Sequence, residues 1–129
     1  MLKSIIVVGD VILDRYIYGR VKRLNPESPT PLLTCEREEY KLGGAANVAA
    51  NIASLGGQVT LAFGGGDDAG NREITRLLVE AGIARIGGVT GTRTIVKERH
   101  IELTYRQQLL RTDWDSSQSL SEDEMTDLV

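Results

Sequence analysis

Gly43-Gly44-Ala45-Ala46-Asn47-Val48-Ala49 places a glycine pair at the mouth of an alanine-rich helix, with a short amide about one turn inside. Glycines let backbone N–H groups approach a ligand where a Cβ would collide. The first turn of a helix adds free N–H donors and a positive dipole end, which suit hydroxyl or anionic oxygens. Asn47 brings two donors and an acceptor to the same rim. The chemistry implied is the grip of a small polyhydroxylated ligand. Asp14, just beyond the first apolar run, adds a carboxylate able to accept two hydroxyls in strong, directional bonds. Asp14 can instead be a turn aspartate, and Asp10 can bond the amides of its own loop. Gly43, Gly44 and Asn47 can instead serve close helix–sheet packing.

These residues need a scaffold, and the pattern predicts alternating strands and helices. Ser4–Val8 is a near-continuous β-branched run, typical of a strand covered on both faces. Tyr16-Ile17-Tyr18 is short and extended. Lys22–Pro31 holds all three prolines and reads as a loop before a strand at Leu32–Cys35. A helix is expected over Ala45–Leu55, stopped by Gly56, then a strand at Val59–Phe63. Asp67 or Asp68 caps a second helix over Asn71–Ala81, which Gly82 ends. Ile83–Ile86 reads as a weak strand, and Thr94–Leu103 with Gln107–Arg111 as a hairpin. Ser121 and Glu124 form a capping box for a helix that has run about two turns by Val129. A helix so newly begun suggests a chain cut in mid-fold, with a frayed C-terminal helix as the alternative.

Composition narrows the function classes. The chain has 129 residues, 41% hydrophobic and 26% charged, which is enough for one ordinary globular domain. A net charge of −3 favours neither nucleic acid nor an anionic membrane as partner. The single cysteine, Cys35, rules out an internal disulfide framework and fits a reducing compartment, with the cytoplasm as the default. The apolar run at the N-terminus is too short for a signal peptide or a membrane span.

Three other motifs carry less. Gly64-Gly65-Gly66-Asp67-Asp68-Ala69 satisfies a dinucleotide-binding pattern, but two aspartates would face the pyrophosphate, and a βα turn with an Asp cap is simpler. Asp113-Trp114-Asp115 has metal-like spacing without a partner cluster and reads as surface. His100, the only histidine, excludes a His-based metal site or a Ser-His-Asp triad, and no metal is expected.

The segment Gly43-Gly44-Ala45-x-Asn47-x-Ala49, followed by Gly56 and Gly66, resembles the N-terminal signature of the ribokinase-like PfkB carbohydrate kinases. Val7–Tyr16, Asn25-Pro26-Glu27-Ser28-Pro29-Thr30-Pro31 and Gln107-Gln108-Leu109-Leu110-Arg111-x-Asp113 are similar to the subgroup acting on D-glycero-D-manno-heptose 7-phosphate. The resemblance spans the whole chain as the N-terminal part of one kinase domain. It implies an α/β fold with a Rossmann-like doubly wound sheet and a small β lid built from segments about 15–41 and 93–111, truncated before the C-terminal half.

By that resemblance, Asp14, Gly43, Gly44 and Asn47 bind the sugar. Lys97, Arg99, Arg106 and Arg111 are candidate contacts to a sugar phosphate or within the lid, with a solvated strand face as the alternative for each. At Leu103–Tyr105 the chain carries residues that the heptose kinases lack. The implied reaction moves a phosphoryl group from ATP, with Mg2+, to the anomeric hydroxyl of a phosphorylated sugar, for ADP-heptose and lipopolysaccharide synthesis. Such kinases are often fused to an adenylyltransferase and often form homodimers through the lid. The family's catalytic aspartate lies in a Gly-Ala-Gly-Asp motif that does not occur here, so no catalytic residue is assigned and the chain alone is expected not to turn over. It is also expected to be poorly soluble, because a truncated sheet leaves a strand edge unpaired. Alternatives are a ribokinase-like kinase for another sugar or a nucleoside, or a non-catalytic sugar-binding or dimerising remnant.

Overall fold

The computed structural model describes residues 4–115, together with Asp123 and Thr126. The capping-box residues Ser121 and Glu124 lie outside the described residues. Seven strands and two helices follow in the order β1 (Ser4–Val8), β2 (Val11–Leu24), β3 (Pro31–Gly44), α1 (Ala45–Ser54), β4 (Gln58–Ala62), α2 (Ala69–Glu80), β5 (Ala84–Ile86), β6 (Ile95–Glu102) and β7 (Gln107–Trp114) among the described residues.

They build two sheets. The first is parallel, in the order β1-β4-β5, and the second runs β3-β2-β6-β7. In the second sheet, β2 pairs antiparallel with β3 and parallel with β6, while β6 and β7 form the expected antiparallel hairpin. The α/β class and the helix positions agree with the sequence reading. The strands of the second sheet are longer than the pattern suggested.

Lys22–Pro31 is not one continuous loop: β2 runs through to Leu24, and β3 begins at Pro31. Pro26 and Pro29 sit in the turn, and Pro31 opens an edge strand, where a missing N–H costs no ladder bond. The strand expected at Leu32–Cys35 extends to Gly44, and Tyr16–Tyr18 is the middle of a 14-residue strand. Cross-strand ion pairs compensate for the scarcity of apolar residues in β3: Arg15 bonds Glu38 at 2.9 Å and Arg20 bonds Glu36 at 2.9 Å.

One core fastens the two sheets together. Val11 and Leu13 of β2 pack with Ala46 and Ala49 of α1, Val59 and Leu61 of β4, Phe63, and Ile74 and Leu78 of α2. Odd-numbered β2 positions therefore face the core, and even-numbered ones face away.

Asp68 is a second fastening. It is the N-cap of α2: Oδ1 accepts from the Asn71 amide at 2.9 Å, and Oδ2 accepts from the Thr94 amide, just before β6, at 2.9 Å. Burial disfavours its charged form, but the amide hydrogen bonds from Thr94 and Asn71 outweigh this and hold the carboxyl below the usual range. Asp68→Ala should cost about 1–3 kcal/mol in urea unfolding, the worth of a cap plus one further bond. A carboxyl lowered by folding stabilises above its unfolded value, near 3.9. The parent should therefore lose this increment as pH falls from about 4 through the lower folded value, and the variant should not.

The first strand departs from expectation. β1 was expected to be covered on both faces, yet it is an edge strand, and Ile6 is 61% and Val8 72% exposed. No described element covers them. Such an edge invites self-association. Ile6→Lys should reduce the sedimenting aggregate at equal concentration, with the circular dichroism unchanged.

Candidate functional site

The outward face of the four-stranded sheet gathers most of the residues singled out in the sequence. Strand register places Lys41, Asp14, Lys97 and Asp113 in one row across all four strands. The next row on that face is Glu39, Tyr16, Arg99 and Arg111. At the other side of the Asp14 row, Ile12 lies between Gly43 and Ile95. Side chains in neighbouring rows of one face stand about 7 Å apart, so the two rows form one surface.

Gly43 is a glycine because of Asp14. A Cβ added there would lie 2.4 Å from Asp14 Oδ2, so the carboxylate occupies the space a side chain would fill. Gly44 has φ +58° and is the N-cap of α1, with no side chain capping the helix. Its conformation turns the chain so that the Ala45 amide donates to the Asp10 carbonyl at 2.9 Å. Asp10 thus takes part through its backbone, while the remaining first-turn amides are left uncapped. Asn47 sits exposed in that first turn, and no described residue hydrogen-bonds its amide.

Asp14 is partly shielded, with 19% of its side chain exposed, and its Oδ1 accepts from Nη1 of Arg99. The Arg99 guanidinium lies 5.2 Å from the centre of the Tyr16 ring, and Lys41 Nζ lies 5.1 Å from the same ring. Arg111 forks onto Asp113, Nε to Oδ1 at 2.7 Å. That hydrogen bond is the main reason the Asp113 carboxyl is held low. Among the described residues Lys97 makes no ion pair; it stands between Asp14 and Asp113. Across the face, Arg37, Lys41, Lys97, Arg99 and Arg111 outnumber Asp14, Glu39 and Asp113 by two charges, in a chain whose net charge is −3. A locally positive surface around a carboxylate that is held by a single arginine suits a ligand carrying both hydroxyls and a phosphate.

Arg106 is not brought to this surface. It lies in the β6–β7 turn with φ +53°. The pair closing that turn, Glu102 and Gln107, is level with Gly19, five residues along β2 from Asp14 and so about 17 Å away. Lys41 stands beside Asp14 on this face, and the sequence reading did not single it out. Its only sequence signal was a cation two residues before Gly43, the spacing that returns a side chain to the same face of a strand.

A cleft of about 450 Å³ opens on the opposite face, between the sheet and the start of α2. Its charges are already matched: Arg15 bonds Glu38 and Glu98, Trp114 Nε1 donates to Glu98, and Arg93 stacks on Trp114. Tyr40 and Arg15 both donate to Glu38, in that order of weight, and hold its carboxyl below the usual range.

The glycine turn after β4 is also occupied from within. Asn71 Nδ2 donates to the Gly66 carbonyl at 2.7 Å, the Gly66 amide donates to Thr94 Oγ1, and the Gly65 amide donates to the Gly88 carbonyl. No cluster of three or more His, Cys, Asp or Glu gathers among the described residues. The polar groups of that glycine turn are thus bonded within the chain, and no described helix is long and apolar enough to cross a membrane.

The chain is 46% identical over 112 residues to the D-beta-D-heptose 7-phosphate kinase of Bordetella bronchiseptica, covering 86% of this chain and 35% of that protein. It is 36% identical over 129 residues to the Bifunctional protein HldE of Bradyrhizobium diazoefficiens, covering 98% of this chain and 26% of that one. It therefore spans between a quarter and a little over a third of these two relatives. The fold matches the tetrameric inhibited form of phosphofructokinase-2 from Escherichia coli, with a TM-score of 0.73 and 24% identity over 99% of this chain and 40% of that one. The model of the pfkB family carbohydrate kinases matches residues 2–128. The chain belongs to the pfkB family of carbohydrate kinases.

Proposed function

We propose that these residues form the sugar-holding side of an ATP-dependent kinase for heptose 7-phosphate. The observation that carries this reading is the carboxylate of Asp14, seated against Gly43 and ringed by Lys41, Lys97, Arg99 and Arg111. Asp14 accepts two sugar hydroxyls, and the uncapped amides of α1 with the Asn47 amide hold further ones. The sugar's phosphate lies over the cations of the second row. The four-stranded sheet, with its lid segments at about 15–41 and 93–111, covers the sugar and keeps water from the acceptor hydroxyl.

ATP with its magnesium ion supplies the phosphoryl group. In this reading the described residues bind and orient the acceptor, and the phosphoryl donor is held by residues outside them. The product, a heptose carrying an anomeric phosphate, would feed ADP-heptose and lipopolysaccharide synthesis, in the cytoplasm. Leu109, Leu110 and Trp114 on the edge strand β7 are 38%, 57% and 42% exposed, which supports a homodimer contact through this sheet.

Calorimetric titration of heptose 7-phosphate into the full chain tests the reading. Binding that disappears in Asp14→Asn supports it, and binding indifferent to that substitution overturns it. Tighter binding of an unphosphorylated sugar or a nucleoside would point to another kinase of the same family.

A further inference from the structure

We infer that Arg99 makes the phosphate a condition for sugar recognition, by holding the Asp14 carboxylate until a phosphate draws the guanidinium away. This rests on the proposed sugar site and adds a specificity-determining residue to it.

The carboxylate meant for hydroxyls is not free. Oδ1 of Asp14 is engaged by Nη1 of Arg99, and Oδ2 is turned toward Gly43, where a Cβ would lie 2.4 Å from it. An unphosphorylated sugar must therefore displace a charge-assisted bond before Asp14 can accept from it, exchanging a strong partner for neutral donors. The pair is half sheltered, with 23% of the Arg99 and 19% of the Asp14 side chain exposed, so the bond is not simply dissolved by water.

The same guanidinium belongs to the cationic row. Arg99 is the cross-strand partner of Arg111 on one side and Tyr16 on the other, and Lys97 lies two residues away on the same face. Arg111 is already forked onto Asp113, so an anion seated beside Arg99 is drawn chiefly by Arg99 and by Lys97, which makes no ion pair among the described residues. A phosphate dianion offers more charge and more acceptor oxygens than one carboxylate. When it takes Arg99, Oδ1 of Asp14 is released for hydroxyls. Phosphate and sugar ring then assist each other's binding through one exchanged partner, which is a coupling between subsites with a definite sign.

The sign gives a test needing no substitution. Titrate unphosphorylated heptose into the full chain with and without saturating inorganic phosphate, using an inert anion to match ionic strength. Heptose affinity should rise about tenfold with phosphate, within the usual range of coupled sites. Arg99→Gln should bind heptose as tightly without phosphate as the parent does with it, and should lose the phosphate response. Its preference for heptose 7-phosphate over heptose should fall at least as far. Arg99→Lys, which keeps the charge, should retain part of the response. Phosphate that weakens or leaves unchanged the heptose affinity of the parent overturns the inference, as does Arg99→Gln weakening both sugars equally. If the parent still binds heptose 7-phosphate in that case, the proposed function stands without the inference. If it binds neither sugar, both fall.

Discussion

Asp14→Asn lowers the affinity of the full chain for heptose 7-phosphate by about 30- to 100-fold, while its unfolding free energy falls by only about 1–1.5 kcal/mol. The first figure follows from the bonds lost. A hydrogen bond to a charged group is worth about 1.5–3 kcal/mol, and the carboxamide keeps only one acceptor where the carboxylate had two. The second figure follows from exposure. The bond from Arg99 is the carboxylate's one side-chain hydrogen bond among the described residues, beside the weaker attraction of Lys41, Lys97 and Arg111, and both side chains remain partly in water, with 23% of the Arg99 and 19% of the Asp14 side chain exposed. Calorimetry and urea unfolding on the same preparation check the two figures together. A large stability loss with unchanged affinity would assign Asp14 to the fold rather than to the ligand.

What could be read from the sequence divides along physical lines. α1 and α2 were legible because capping and termination are local. Asp68 and the glycines Gly56 and Gly82 mark their ends within one turn. β1 and β4 were legible as strands because their residues are largely apolar or β-branched, and β5 only weakly, since Ala84-Arg85-Ile86 holds one β-branched residue; the exposure of β1 was not legible, since covering a face depends on elements elsewhere. β3 was the hardest. Thr34-Cys35-Glu36-Arg37-Glu38-Glu39 has no apolar alternation and is held by partners on β2, so its strand character lies in the pairing and not in its own residues.

The site divides in the same way. Asp14 and the Gly43-Gly44 pair stood out as residue types able to bind hydroxyls, supported by the family resemblance. Lys41, together with the grouping of Lys97, Arg99 and Arg111 around Asp14, is a property of register across four strands. A shift of one residue in any pairing would send each cation to the opposite face. Arg106 is set apart from Asp14 for the same reason in reverse: near in sequence to Arg111, it is carried to the far end of the hairpin by the strand between them.

Gly43→Ala and Gly44→Ala, though adjacent, should fail in different ways. At Gly43 the new methyl meets the end of a side chain, Asp14 Oδ2 at 2.4 Å, with Ile12 Cβ at 3.2 Å. The backbone there is ordinary strand, so the carboxylate turns aside and the fold survives. Sugar affinity should drop about 10- to 100-fold, as in Asp14→Asn, with a stability loss of about 1 kcal/mol. At Gly44 the methyl would lie 2.4 Å from the Asp10 carbonyl oxygen, and φ is +58°. A side chain in that left-handed region costs about 1–2 kcal/mol, and the clash is with backbone that also receives the Ala45 amide. The start of α1 must shift, for a total loss of about 2–4 kcal/mol in urea unfolding. The discriminating measurement is the double variant. If Gly43→Ala acts by displacing the carboxylate, adding it to Asp14→Asn should cost little further affinity, because residues sharing one interaction do not add. Full additivity would mean that Gly43 contributes through its own amide or through the helix it precedes, and Asp14 would then hold the sugar without that glycine's help.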